Sequence, residues 1–122
     1  MDSIIIGTGV DITEVRRLRQ AVEKWGKEFL NRVFTQDELE TAKTRGSLYQ
    51  YLAGRFAAKE AVFKALGDAK LNWKDVEILN DKEGKPHCVI LNNNRAKKMD
   101  VHVSISHVKS YAVANAIITQ KG

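Results

Sequence analysis

Glu60 and Lys64 stand four residues apart in a stretch otherwise built mostly of alanine, phenylalanine, valine and leucine, so on a helix both project from one face. A carboxylate in that place can hold a hard cation, and an ammonium one turn along can hold a phosphate. The same spacing suits a helix-stabilising ion pair at the rim of a core, worth about 0.3–0.5 kcal/mol, and helix geometry alone leaves both readings open. Asp11 is the second carboxylate of interest. On a strand between Val10 and Ile12 it points to the face opposite its neighbours, either as a ligand or as a capping or salt-bridging group before a helix. His107 closes a Ser-Ile-Ser-His run at an expected strand end, a place where side chains line sites, although His87 and His102 show how little the residue type says alone. Ser104, Ser106 and His107 lack a nucleophile elbow and an orienting acid, which sets a serine hydrolase aside.

The element that must carry Glu60 and Lys64 is residues 54–67, a run of strong helix formers closed by Gly67 as a C-cap. Phe56, Phe63 and Leu66 fall on one side and Ala57, Ala61 and Ala65 form a small-residue stripe on another, so most of this helix is expected to be buried. Residues 3–12, from Ser3, read as a β-branched strand in which Gly7 and Gly9 allow a bulge or a close backbone approach. They make no dinucleotide fingerprint, because the third glycine is missing. From Thr13, the three- and four-residue spacing of Val15, Leu18, Val22, Trp25 and Phe29 predicts one helix with arginines on its outer face, Arg17 among them. Thr35 to Glu38 is a capping box opening a short helix that Gly46 can end, and Ser47 with Gln50 repeats the signature before the long helix. Residues 76–79 and 88–91 predict a hairpin with Pro86 at its margin, and residues 101–107 and 111–118 two further strands. Helices segregated ahead of antiparallel hairpins predict an α+β fold.

The 122 residues are most simply one domain, residues 1–122, with 43% hydrophobic and 29% charged content. One cysteine, Cys88, excludes an intrachain disulfide, and neither a signal peptide nor a membrane-spanning run is visible, so the expected compartment is the cytoplasm. The net charge of +5 favours an acidic partner. Six basic residues between positions 16 and 32 stand against two acidic ones, which predicts a patch.

Taken together, G-x-G-V-D-I-T-E-V-R-R-L at 7–18, F-A-A-K-E-A-V-F-K-A-L-G at 56–67, G-K-P at 84–86 and S-I-S-H at 104–107 resemble the holo-acyl-carrier-protein synthases, the short class of 4′-phosphopantetheinyl transferases. The resemblance covers the whole chain in order and implies their fold, an antiparallel sheet packed on a long central helix. It implies transfer of 4′-phosphopantetheine from coenzyme A to a serine of apo-acyl carrier protein, with release of adenosine 3′,5′-bisphosphate, in support of fatty acid biosynthesis. Asp11 and Glu60 are then implied as Mg²⁺ ligands, Glu60 and Lys64 as catalytic residues, and Lys64, Arg55, His107, Gly84, Lys85 and Pro86 as coenzyme A contacts. Arg17 is implied to meet the acidic carrier protein. The resemblance leaves open whether a water on the metal, or Glu60 acting through one, takes the serine proton. His87 stands where relatives commonly carry tyrosine, and the short class implies a homotrimer with sites between subunits.

Two other classes make different demands. A basic nucleic-acid-binding module would need aromatics on its sheet, whereas here the expected strands are aliphatic apart from Tyr111, and Phe56, Phe63, Trp25 and Phe29 fall on helices at core spacing. A magnesium-dependent phosphohydrolase would consume coenzyme A with no carrier protein present. The reading adopted predicts no nucleic acid and no membrane among the partners.

Overall fold

The β-branched and alternating segments become two antiparallel sheets, described in a computed structural model for residues 4–67 and 71–121. Strand β1 (Ile5–Glu14) continues two residues beyond its expected end, while its expected first residue, Ser3, lies outside the described residues. It pairs with β5 (Tyr111–Gln120), which pairs in turn with β4 (Met99–His107), giving the order β1-β5-β4. The predicted hairpin is a separate two-stranded sheet, β2 (Val76–Asn80) with β3 (Pro86–Ile90).

Helix α4 (Leu48–Leu66) is apolar nearly all round and packs across the three-stranded sheet. What brings the two together is small residues on both sides. Ala57, Ala61 and Ala65 of α4 and Ala112, Ala114 and Ala116 of β5 are all buried. Gly7 and Gly9 of β1 lie so close that a methyl group on either would sit 2.0 Å from a helix carbonyl oxygen, of Ala65 and Ala61 respectively. The close approach allowed by these glycines is therefore used in full. Gly67 ends the helix in the left-handed conformation with its N–H donated to the Phe63 carbonyl.

The single helix expected from Thr13 to Phe29 is two, α1 (Val15–Trp25) and α2 (Lys27–Val33), broken at Gly26, whose φ of 56° and ψ of −134° no helix accommodates. Among the described residues, four α-helices rather than three therefore precede β2. Thr35 caps α3 (Gln36–Ala42) as expected: its hydroxyl accepts from Glu38 N–H at 3.2 Å, and Glu38 accepts from Thr35 N–H at 2.8 Å. The helix stops at Ala42, short of Gly46. Ser47, by contrast, makes no side-chain cap, and α4 is held instead by the apolar residues it buries.

Glu38 does more than cap. Its carboxylate also accepts from Lys59 at 2.8 Å and from Ile78 N–H at 2.8 Å, while Lys59 donates to the carbonyls of Trp73 and Val76. Both side chains are fully buried. Burial pulls the Lys59 ammonium below its ordinary pKa, against the pull of Glu38 in the other direction. Such a network ties α3, α4 and β2 together, and removing one partner would strand the other, at a cost of about 3–5 kcal/mol. No helix among the described residues is long and apolar enough to cross a membrane.

Candidate active site

Asp11 shares the inward face of β1 with Gly9 and Thr13, the face that meets α4, because the side chains of alternate strand residues point the same way. Its side chain is 17% exposed. Thr13 donates to one carboxylate oxygen at 3.1 Å, and Lys64 reaches the other at 3.1 Å. Lys64 also donates to the Val10 carbonyl at 2.9 Å. Lys64 thus crosses from helix to strand, and the within-helix ion pair with Glu60 that its spacing also allowed is not formed.

Glu60 is half-buried beside this pair and has no ion-pair partner among the described residues. Its carboxyl is held above the usual carboxylate range, first by burial and then by the Asp11 charge, with Lys64 opposing. Asp11, Thr13, Arg17, Phe29, Phe56 and Glu60 line one cleft of about 280 Å³. The break at Gly26 matters here, since it lets Phe29 on α2 turn back against Phe56, with ring centroids 6.5 Å apart. Phe56 in turn stacks on Trp73 at 4.9 Å, which Phe63 meets edge-on at 5.0 Å. Arg17 is exposed at the mouth.

The other expected residues lie elsewhere on the chain. Arg55, five positions before Glu60, is turned to another face of α4. It is buried, donates to Asn80 at 2.6 Å and lies 4.2 Å from the Tyr51 ring centre. Asn80 pairs with Pro86 across the hairpin, so Arg55 is attached to the same end of the hairpin as the Gly84-Lys85-Pro86 turn. That turn is fixed by Asp81, whose carboxylate accepts from Glu83 and Lys85 N–H at 2.9 Å each. His107, exposed at the end of β4, is opposite Ala112, whose other neighbour is Thr13. Two strand spacings put it roughly 10 Å from β1.

Several residues escaped the sequence reading. Arg45 lies 5.3 Å from the Tyr51 ring centre, and both the Tyr51 hydroxyl and the Arg55 Nε are buried without a hydrogen-bond partner among the described residues. Lys59 joins Arg55, Glu60 and Lys64 as one of four charged residues on an otherwise apolar helix, and that was a signal of its own. Thr13 could be found only through the strand's extension to Glu14.

Two carboxylates, hard oxygen donors on rigid elements and crowded enough to raise a proton affinity, form a donor set that gains from a divalent cation and suits Mg²⁺, which takes few protein ligands. Among the described residues no group of three or more His, Cys, Asp or Glu side chains converges as a closed metal site.

The family model of the 4′-phosphopantetheinyl transferase superfamily matches residues 7–116. A holo-[acyl-carrier-protein] synthase of Halothermothrix orenii is 43% identical over 118 residues, covering 91% of this chain and 94% of that one. The crystal structure of the Bacillus anthracis holo-(acyl-carrier-protein) synthase, in complex with CoA (3′,5′-ADP), superposes with a TM-score of 0.82 at 36% identity, covering 96% of this chain and 98% of that one. The Helicobacter pylori holo-[acyl-carrier-protein] synthase, in complex with coenzyme A, gives a TM-score of 0.81 at 26% identity over 91% and 98%.

Proposed function

This chain belongs to the 4′-phosphopantetheinyl transferase superfamily, as a holo-[acyl-carrier-protein] synthase, and from that premise we propose that it moves 4′-phosphopantetheine from coenzyme A to a serine of an acidic acyl carrier protein in a Mg²⁺-dependent reaction. The observation that carries the reading is the meeting of Asp11 and Glu60 at one cleft, with Lys64 turned away from Glu60 and bonded to the Asp11 carboxylate and the Val10 carbonyl of β1.

Asp11 and Glu60 would hold the ion, which supplies charge neutralisation on the pyrophosphate of coenzyme A. Lys64, fixed by the Val10 carbonyl and Asp11, presents an oriented ammonium to a phosphate oxygen. The serine oxygen attacks the β-phosphate in line; the new P–O bond forms as the bond to adenosine 3′,5′-bisphosphate breaks. Among this chain's own groups, Glu60 lines the cleft and is the carboxylate placed to receive the serine proton through a water. Phe29 and Phe56 exclude solvent from that side of the cleft, and Arg17 at its mouth meets the carrier's acidic surface.

The proposal also makes the active enzyme a homotrimer. Val10 and Ile12 of β1 and Tyr111 and Val113 of β5 share the outer sheet face and are 60%, 63%, 43% and 39% exposed, an apolar surface suited to association. Arg55, the Gly84-Lys85-Pro86 turn and His107 contact coenzyme A in this reading, with a site between copies bringing those separated groups to one ligand. Its place is fatty acid biosynthesis in the cytoplasm.

The test is the mass of an apo-acyl carrier protein after incubation with this protein, coenzyme A and Mg²⁺. A gain of one phosphopantetheine is expected. An unchanged carrier with intact coenzyme A overturns the reading, and consumption of coenzyme A without modification of the carrier makes the protein a hydrolase.

A further inference from the structure

Helices α1 to α4 enclose a second groove, of about 420 Å³, that shares no lining residue with the Asp11 cleft. Its walls are aliphatic: Val22 of α1, Leu30 of α2, Leu39 of α3, and Leu48 and Leu52 of α4. Leu52 forms a buried floor, while Leu48 at the rim is 39% exposed. The volume lies within the range of small-molecule sites, roughly 300–1,000 Å³.

The polar residues lining the groove are Lys27, Asn31, Gln36 and Lys43, all hydrogen-bond donors, with no carboxylate. Nearby Glu40 occupies one corner, accepting from Gln36 at 2.8 Å and pairing with Lys43 at 3.5 Å. Lys27 and Asn31, also in the lining, lie one turn apart on α2, and neither has an ion-pair or side-chain hydrogen-bond partner among the described residues. An aliphatic groove with one uncompensated ammonium in its lining is complementary to one kind of small molecule.

We propose that this groove binds an unbranched aliphatic chain with an anionic head, a fatty carboxylate, its chain along Val22, Leu30, Leu39 and Leu48 and its carboxylate at Lys27 and Asn31. The site is independent of the transferase reading, because it uses none of the cleft's residues.

The experiment titrates dodecanoate, below its micellar concentration, into the full chain and follows the methyl NMR signals of the groove residues. Saturable one-to-one binding with shifts confined to Val22, Leu30, Leu39, Leu48 and Leu52 is expected. Decanoate, two methylenes shorter, should bind about tenfold more weakly. Lys27→Glu should weaken dodecanoate at least fivefold, and Leu48→Asp at the exposed rim should abolish binding with thermal unfolding within error of wild type. Should Leu48→Asp unfold the chain, Leu48→Ser takes its place with the same expectation. Equal affinity for dodecyltrimethylammonium, indifference to Lys27→Glu, or no saturable binding overturns the proposal. If dodecanoate fails to bind and Leu48→Asp lowers the assembled mass, the groove is a contact between copies of this chain. Binding is read without coenzyme A or a carrier, so its failure is distinct from failure of the transferase reading.

Discussion

Replacing Gly9 with alanine would set a methyl carbon 2.0 Å from the Ala61 carbonyl oxygen and 2.9 Å from the Ala65 nitrogen, both backbone atoms that cannot rotate away. To restore an ordinary contact of 3.4 Å, β1 and α4 must separate by about 1.4 Å. Overpacking of this kind costs about 1–3 kcal/mol, which for a domain of this size lowers Tm by roughly 4 °C per kcal/mol. The strand carries Asp11 two residues further on, and its 3.1 Å bond to Lys64 spans the same gap. The shift therefore separates the carboxylate of β1 from the two charged groups of α4, and a displacement near 1 Å can cost on the order of 100-fold in rate. The assay pairs thermal unfolding with the carrier-mass measurement. Gly9→Ala should melt several degrees lower and, at a temperature where it is fully folded, transfer far more slowly. Wild-type melting and wild-type rate together would refute the close packing on which this reasoning rests.

Asp11→Ala and Glu60→Ala should each abolish transfer while the circular dichroism spectrum stays that of wild type; undiminished rates at saturating Mg²⁺ would count against the metal assignment. Lys64→Ala should lower turnover far more than stability, because a half-exposed ion pair contributes about 1 kcal/mol at most, and the reverse pattern would make the residue structural. Arg17→Glu should raise the apparent KM for the carrier steeply, leave that for coenzyme A unmoved and reduce the salt dependence of the former; parallel changes in both constants would assign the helix to the site itself. Burial pushes the Cys88 thiol up to about 12. The unfolded chain loses this proton near pH 8.5 while the folded one keeps it, so stability is unaffected below that pH and falls by about 1.4 kcal/mol per pH unit from there towards 12. Denaturant titrations of wild type and Cys88→Ala should diverge in slope only above pH 9, and parallel curves would place the thiol in contact with solvent.

The strands and the long helix were legible because each has a local cause: β-branched alternation at 101–107 and 111–118, and an unbroken run of helix formers at 54–67. The helix break was less so. The apolar spacing from Val15 to Phe29 runs straight across Gly26, and only the backbone shows that the glycine takes a positive φ and redirects Phe29 to the cleft. Local signals likewise identified Glu60 and Lys64 but left their partnership open, since an i, i+4 pair and a helix-to-strand bridge have the same spacing on the helix. The bond from Lys64 to Asp11 joins positions 53 apart, and the Lys59–Glu38 pair depends on α3 meeting α4. The aromatic stack of Phe56 and Phe63 on Trp73 was visible only as its helical half, because Trp73 belongs to a short turn with no periodicity.

Pairing β1 with β5 has a consequence for how the molecule is made. Asp11 lies opposite Ala114, roughly a hundred residues later, so the strand that carries it leaves the ribosome long before its partner exists. During that interval α1 to α4 can form from nearby sequence, whereas β1 remains a β-branched segment with an unpaired edge, open to the wrong neighbour. Synthesis of β5 ends the exposure and aligns Asp11 with α4 in one event. A nascent chain stalled before residue 111 would therefore carry Glu60 and Lys64 on a helix with no strand fixed beside it, making the synthesis of β5 the step that brings Asp11 to them.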